Sequence, residues 1–590
     1  MSKYLKQIFI FFVIYALIFG FYLLVSPNIG IHAFGLHSRR FIPATLACIL
    51  PYLLFKEFHL KNFKTEILLS VLWAVTSPYL AYIDAKTNGG SPSFPYDVAT
   101  GAYLFSTLAF AKILIKKYCD FKIIKFSYYL LQLLLFIVPV FHILYYLKFG
   151  HSMSANGMMV IFQTNPSEAL EYLSSLNWQY LASAFVLLVA FILIIFNNIG
   201  SAKFLPEYII TKKNLIISCI ILPAVAYYTF FSLIPRTQFI NIAINTREYF
   251  KTVEEYGTIH DEILKDLQVE SIGGALSSSP NTIIMVIGES ATRNYMKAFN
   301  KNNDETTPWL SANKNEFLLF NNSYSCAWNT VPALEHALTE ANYYNNKEFN
   351  RSVSIIDIAK KAGYKTYWFS NQGRIGIYDT PITMVAETCD VAKWGGDSNY
   401  DEGLLMHLKT INPNEKNFIV LHIMGSHIDY HLRYPKEYQI WTDSDTYGRL
   451  ADYKNSLVYT DKVLQDYFEY AKNNLNLNAF IYFSDHGTDP NRSRDPDETK
   501  FIGLRIPLFV YLSESYKENN PYITAALSAN QNKFFSNDLI YNLVCGILNI
   551  KSNHYNEEES LASPKYKFNI ENTKAGLGTK SVKDDPYLNS

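Results

Sequence analysis

The run Ile283-Ile284-Met285-Val286-Ile287-Gly288-Glu289-Ser290, IIMVIGES, decides the fold. A short continuous apolar stretch bounded by glycine and polar residues reads as a strand covered on both faces, the kind that parallel sheets contain. The same pattern, an apolar or aromatic run with a polar tip, returns in KTYWFSNQ (365–372), FIVLHIMGSH (418–427) and AFIYFSDHG (479–487). LFVYLSES (508–515) is a plainer case. Helix-length segments separate these runs, which predicts an α/β domain with a largely parallel sheet. Open parallel sheets bind ligands beyond the carboxyl ends of their strands, so the polar tips should converge in one crevice.

Outside this domain the chain changes character. Of 590 residues 49% are hydrophobic, and 52 basic residues balance 52 acidic ones, so no net field points to nucleic acid. Apolar residues crowd the part before residue 235. Seven segments there read as membrane helices, near 7–25, 41–56, 66–84, 101–117, 127–148, 178–197 and 214–234; since a span needs about 20 apolar residues, 41–56 and 101–117 are marginal and the count falls between five and seven. With Lys3 and Lys6 on the cytoplasmic side, alternation places Lys56/Lys61/Lys64, Lys116/Lys117/Lys122/Lys125 and Lys203/Lys212/Lys213 there too, as the positive-inside bias expects. Residues beyond 235 then lie outside the cytoplasm. The expected organisation is a transmembrane helical domain over 1–234, an amphipathic connector and linker over 235–280, the α/β domain over 281–555 and a polar, mobile tail over 556–590. Cys326, Cys389 and Cys545 lie in the outer part and allow at most one disulfide.

Glu289, Asp485 and His486 each follow a strand directly. One such acid would as readily cap a helix, but three ligand-type side chains at convergent strand ends favour a metal, and two carboxylates with an imidazole suit Zn²⁺ or Mn²⁺ better than Ca²⁺. A nucleophile is offered by Thr330, which precedes Val331-Pro332 and a helical pattern, so that its hydroxyl stands at a helix N-terminus, where phosphate is attracted. Metal binding would lower the pKa of that hydroxyl.

Several stretches, taken together, resemble the membrane-anchored phosphoethanolamine transferases of the alkaline-phosphatase and sulfatase superfamily, the group that includes lipid A modifying and colistin-resistance enzymes. They are VIGES, TRNY and TTP (286–308), SCAWNT (325–330), WFSNQ (368–372), LHIMGSH…RYP (421–435), YKNSLVYTD (453–461), SDHG (484–487) and RIPLFVYLS (505–513), with QTNPSEALEYL (163–173) in the membrane part. The resemblance implies that Glu289, Thr330, Asp485 and His486 hold the metal, and that Thr330 is the residue phosphorylated. It implies that His427 contacts the transferred phosphate or a second metal, and that Asn371, Gln372, Thr164 and Glu168 contact substrate; since the acceptor needs a catalytic base, His427 is also the candidate for that base or for substrate orientation. It further implies a phosphatidylethanolamine donor, an acceptor such as lipid A, core sugar, another glycan or a protein, and an inner-membrane location with the catalytic domain in the periplasm.

His422 and His431 read as structural. Three departures stand out: no histidine follows His486 before His554, Val160 occupies a position where lipid A modifying members have Asn, and Ala333 stands where they have the cysteine that would pair with Cys326. A phosphoglycerol transferase of the lipoteichoic-acid-synthase type, or a non-catalytic membrane scaffold or sensor, are the alternative readings.

Overall fold

The computed structural model describes residues 3–26, 31–55, 58–88, 93–118, 121–164, 211–272, 280–301, 303–373, 380–442, 449–491 and 500–588, with scattered positions between 170 and 194. The chain divides into two compact units, one of Met1–Met159 with Tyr172–Glu248 and one of Val160–Glu171 with Tyr249–Ser590.

The first unit is helical: α1 (Lys3–Val25), α2 (Ile31–Leu54), α3 (Lys64–Asn88), α4 (Pro95–Tyr118), α5 (Lys122–Phe149) and α6 (Lys212–Tyr227). Among the described residues five segments are long and apolar enough to cross a membrane: Tyr4–Val25, Leu60–Lys86, Pro95–Lys116, Lys122–Phe149 and Lys212–Arg236. The expected 41–56 segment is the second half of α2, a helix that also carries Arg39, Arg40, Pro43 and Pro51. The expected 178–197 segment lies largely outside the described residues. Inside the unit, the carboxylate of Glu66 on α3 is buried and matched on both oxygens. Oε1 accepts from the Tyr128 hydroxyl at 2.8 Å and the Gln132 amide at 3.0 Å, and Oε2 pairs with Lys112 Nζ at 3.0 Å. A charge in an apolar surround persists only with such company.

The second unit is built on a seven-stranded sheet: β1 (Asn281–Gly288), β2 (Phe317–Leu319), β3 (Lys365–Ser370), β4 (Val391–Trp394), β5 (Lys416–His422), β6 (Leu477–Ser484) and β7 (Leu508–Leu512), in the order β2-β7-β6-β1-β5-β3-β4. Strands β6, β1, β5, β3 and β4 run parallel, and β7 and β2 extend one edge in antiparallel pairing. Every residue of β1 is buried, and the period of two sends its apolar stretch 283–287 alternately to the two faces of the sheet. Ile283, Met285 and Ile287 enter one core with Phe418, Val420 and Ile481; Ile284 and Val286 enter the other with Ile419, Leu421 and Phe480.

The helix α7 (Gln238–Lys265) forms where an amphipathic connector was expected, and its later part is docked. The Tyr256 ring stacks on Phe349 at 4.6 Å, and His260 Nε2 lies 2.9 Å from Asp357 Oδ1. Residues 556–588 are no mobile tail. Leu561, Tyr566, Phe568, Ala575 and Val582 are buried, and Asp585 accepts a 2.8 Å hydrogen bond from the Tyr324 hydroxyl. A polar average concealed a few apolar residues, each of which is inserted into the domain.

Candidate active site

The carboxyl ends of β1 and β6 deliver Glu289 and Asp485-His486 side by side, because the two strands pair in register up to Gly288 and Ser484. The Asp485 amide then donates to the Gly288 carbonyl at 3.0 Å, joining the two tips. Thr330 arrives from the other direction, as the first residue of α8 (Thr330–Ala337).

Thr330 Oγ1 lies 3.0 Å from Glu289 Oε2 and 3.4 Å from His486 Nε2. His486 Nε2 in turn lies 3.3 Å from Asp485 Oδ2 and 3.6 Å from Glu289 Oε1. The imidazole is oriented by its other nitrogen: Nδ1 donates to the Gly487 carbonyl at 2.8 Å, which leaves the Nε2 lone pair facing the cluster. Ligands on a tetrahedral zinc about 2.0–2.2 Å away are about 3.4 Å from one another, and the four contacts above, 3.0–3.6 Å, are close to that spacing.

Electrostatics make the same point. Asp485 Oδ1 is saturated by the amides of Ser290 at 3.0 Å and His486 at 2.6 Å, whereas Oδ2 is buried and accepts no hydrogen bond. Burial, and then the neighbouring Glu289 charge, push the Asp485 carboxyl well above the usual carboxylate range. A cation between the two acids removes both penalties. Glu289, Asp485 and His486 offer ligand atoms within 4.8 Å of one another, so the donor set fits a divalent ion of zinc type.

The cluster is held by residues with no ligand role. Ser290 adopts a left-handed conformation, φ 57°, and its hydroxyl donates to Glu289 Oε1 at 2.6 Å. Tyr453, on α9 (Arg449–Asn474), accepts the Thr292 amide at 2.9 Å and donates to the Ser290 carbonyl at 3.0 Å. Asn537 donates to the Asp485 carbonyl at 2.7 Å and accepts from the Cys326 amide at 2.8 Å, which ties the His486 loop to the segment before Thr330. Gly425, at φ 51°, lies so close to Glu289 that an added Cβ would sit 3.0 Å from its backbone N and O.

The substrate-type residues expected from sequence separate into different roles. Gln372 reaches the cluster, its amide donating to Glu289 Oε2 at 3.3 Å and to the Ile423 carbonyl at 3.0 Å. Asn371 donates to Asp401, which also accepts the amides of Met424 and Gly425 at 2.8 Å each; together they brace the loop that carries His427. That loop is fastened to the cluster by the Ser426 amide on the Glu289 carbonyl at 3.0 Å. The Thr164 hydroxyl donates back to the Val160 carbonyl at 2.6 Å, and Glu168 lies outside the described residues. His422 is buried beneath the crevice, with Nδ1 3.3 Å from the Ser370 hydroxyl, and burial lowers it to about 4, in keeping with a neutral structural residue. Cys326 is a free thiol beside Pro332 and Ala333, and Cys389 and Cys545 are free as well.

A parallel sheet whose central strand tips place two acids, an imidazole and a helix-terminal threonine in one crevice is the arrangement of the alkaline-phosphatase and sulfatase fold class. Residues 281–544 match the Sulfatase family model. The chain is 27% identical to the phosphoethanolamine transferase EptC of Escherichia coli K12 over 424 residues, 64% of this chain and 72% of the relative. It is 26% identical to the phosphoethanolamine transferase CptA of Salmonella typhimurium over 477 residues, 72% of this chain and 80% of the relative. The integral membrane phosphoethanolamine transferase EptA of Neisseria meningitidis shares the fold, with a TM-score of 0.51 at 15% identity over 84% of this chain and 98% of that one. The chain therefore carries a Sulfatase-family domain and is similar to membrane-anchored phosphoethanolamine transferases.

Proposed function

We propose that the protein transfers phosphoethanolamine from phosphatidylethanolamine to an acceptor in the bacterial envelope, such as lipid A or a lipooligosaccharide core sugar, with its second unit in the periplasm. The observation that carries this is the placement of Thr330 Oγ1 at a helix N-terminus, 3.0 Å from Glu289 and 3.4 Å from His486. Zinc held by Glu289, Asp485, His486 and Thr330 Oγ1, with Mn²⁺ fitting the same donors, would supply a lowered hydroxyl pKa and neutralise charge on the phosphoryl oxygens.

Thr330 Oγ1 attacks the donor phosphorus, the bond to diacylglycerol breaks, and phosphoethanolamine remains as an ester on Thr330. The acceptor oxygen then attacks the same phosphorus and Thr330 leaves. Gln372 and Ser290 keep the Glu289 carboxylate from rotating between the two steps. The N-terminus of α8, which begins at Thr330, would favour the charge of the phosphoryl group. His427, on the braced loop beside Glu289, is assigned the acceptor proton. Membrane anchoring presents donor and crevice to each other at high effective concentration.

The test is the intact mass of the purified full chain after incubation with phosphatidylethanolamine, beside Thr330→Ala. A phosphoethanolamine adduct on the wild type alone is expected. An adduct formed only from phosphatidylglycerol would replace this reading with phosphoglycerol transfer, and an adduct that persists in Thr330→Ala would remove Thr330 from its role.

A further inference from the structure

The helical unit carries a second cationic feature, far in sequence from the catalytic cluster. Two guanidiniums converge on one tyrosine ring: Arg40 Cζ lies 4.6 Å and Arg236 Cζ 5.5 Å from the centroid of Tyr96. Among the described residues neither arginine has a carboxylate partner, and His37, one turn before Arg40 on α2, has a shielded Nδ1 that takes no hydrogen bond. The adjacent acid, Asp97, is committed elsewhere, with both oxygens 3.2 Å from the Gln238 amide.

The location sharpens the point. Tyr96 opens α4 and Arg236 closes the segment that begins at Lys212, so both stand at the end of the unit opposite Lys64, Lys116, Lys122 and Lys212. Basic residues in membrane proteins gather on the cytoplasmic side, and that bias accounts for the lysine end. It gives no reason for paired arginines at the other. Arg236 is exposed and Arg40 half-buried, so both guanidiniums remain accessible to a ligand from outside the unit. Two guanidiniums brought together without an anion repel each other, and the planar fork of arginine suits phosphate oxygens in particular.

We propose that Arg40 and Arg236, ordered on Tyr96, form a binding site for the phosphate of a membrane lipid at the outward end of the helical unit. The site is independent of the transfer chemistry at Thr330 and is tested without it, in the Thr330→Ala chain. This full chain in detergent is titrated with phosphatidylglycerol, phosphatidylethanolamine, diacylglycerol and inorganic phosphate, and bound lipid is read by native mass spectrometry with Arg40 and Arg236 intact and with Arg40→Gln/Arg236→Gln added. Both phospholipids should bind the double variant roughly tenfold more weakly or worse, while diacylglycerol is unaffected. Competition by inorganic phosphate would assign the recognition to the phosphate alone, and its absence, with phospholipid binding still lost, to the anchored headgroup. Unchanged phospholipid affinity in a double variant of wild-type melting temperature overturns the site, as does equal weakening of diacylglycerol. Should the double variant fail to fold, Arg236→Gln, at the exposed position, replaces it and must show the same selective loss.

Discussion

Two buried carboxylates, one in each unit, differ in how they are satisfied. Glu66 in the helical unit has three donors on two oxygens, one of them the Lys112 ammonium. Asp485 in the crevice has one oxygen doubly bonded and the other buried with no hydrogen bond. The first charge is finished by the protein and serves the fold. The second is finished only by something the fold admits, and a site for chemistry is distinguished from a structural charge by that incompleteness.

The comparison is broken most severely by Lys112→Met. This leaves Glu66 charged and unpaired among apolar helices, and a loss of roughly 3–5 kcal/mol is expected, read as a lower melting temperature of the full chain in detergent. The companion Glu66→Gln/Lys112→Met should recover most of that loss.

Asp485→Asn should act in the opposite direction. In chelator-treated protein it removes a carboxylate held above its usual range by burial and by Glu289, so the variant should melt higher than wild type by the equivalent of roughly 1–3 kcal/mol. With zinc added the order should reverse, since only the wild type gains from binding. A variant less stable than wild type in both conditions would mean that Asp485 is as structural as Glu66.

Gly425→Ala tests how tightly the crevice is held. Its positive φ disfavours a side chain by roughly 1–2 kcal/mol, and the new Cβ would press on the Glu289 backbone. Adduct formation should fall more than stability does, as judged by intact mass against melting temperature.

The last expected effect is read as a pH dependence. Asp461 on α9 caps the helix Pro308–Ala312 through the amides of Trp309 and Leu310, at 2.6 and 3.2 Å, and burial lifts its carboxyl to about 7. A folded value above the unfolded one of about 3.9 means that the neutral acid is favoured by folding, so its contribution is complete below pH ~4 and is lost as pH rises toward 7. Asp461→Asn should flatten that part of the stability profile, measured by thermal melts across pH.

The sequence was most readable where one physical demand acted alone. The two-sided burial of β1, β5 and β6 forced unbroken apolar runs, and their polar tips stood out as Glu289, Asp485 and His486. Thr330 was visible because a proline follows it at helix-start spacing. The edge strands β2 and β4, of three and four residues, were too short to carry a period. Tyr453, Asp401 and Asn537 were not legible as supports, because each acts through a partner from a distant part of the chain, and the support from Ser290 to its neighbour Glu289 goes with a left-handed backbone that the sequence does not announce. Gln372 and Asn371 sat in one motif, yet one touches the cluster and the other braces a loop, a division set by tertiary contacts. The buried apolar residues of 556–588 were hidden by polar neighbours in sequence.

The central claim is that the crevice is completed by a metal ion on Glu289, Asp485, His486 and Thr330. The measurement that meets it most directly is the zinc content of the purified full chain by elemental analysis, wild type beside Glu289→Ala and His486→Ala. One zinc per wild-type chain, lost in both variants while the fold is retained, is the predicted result. Zinc that remains at full stoichiometry in both variants, or a wild type that stays metal-free after zinc is supplied, would contradict it.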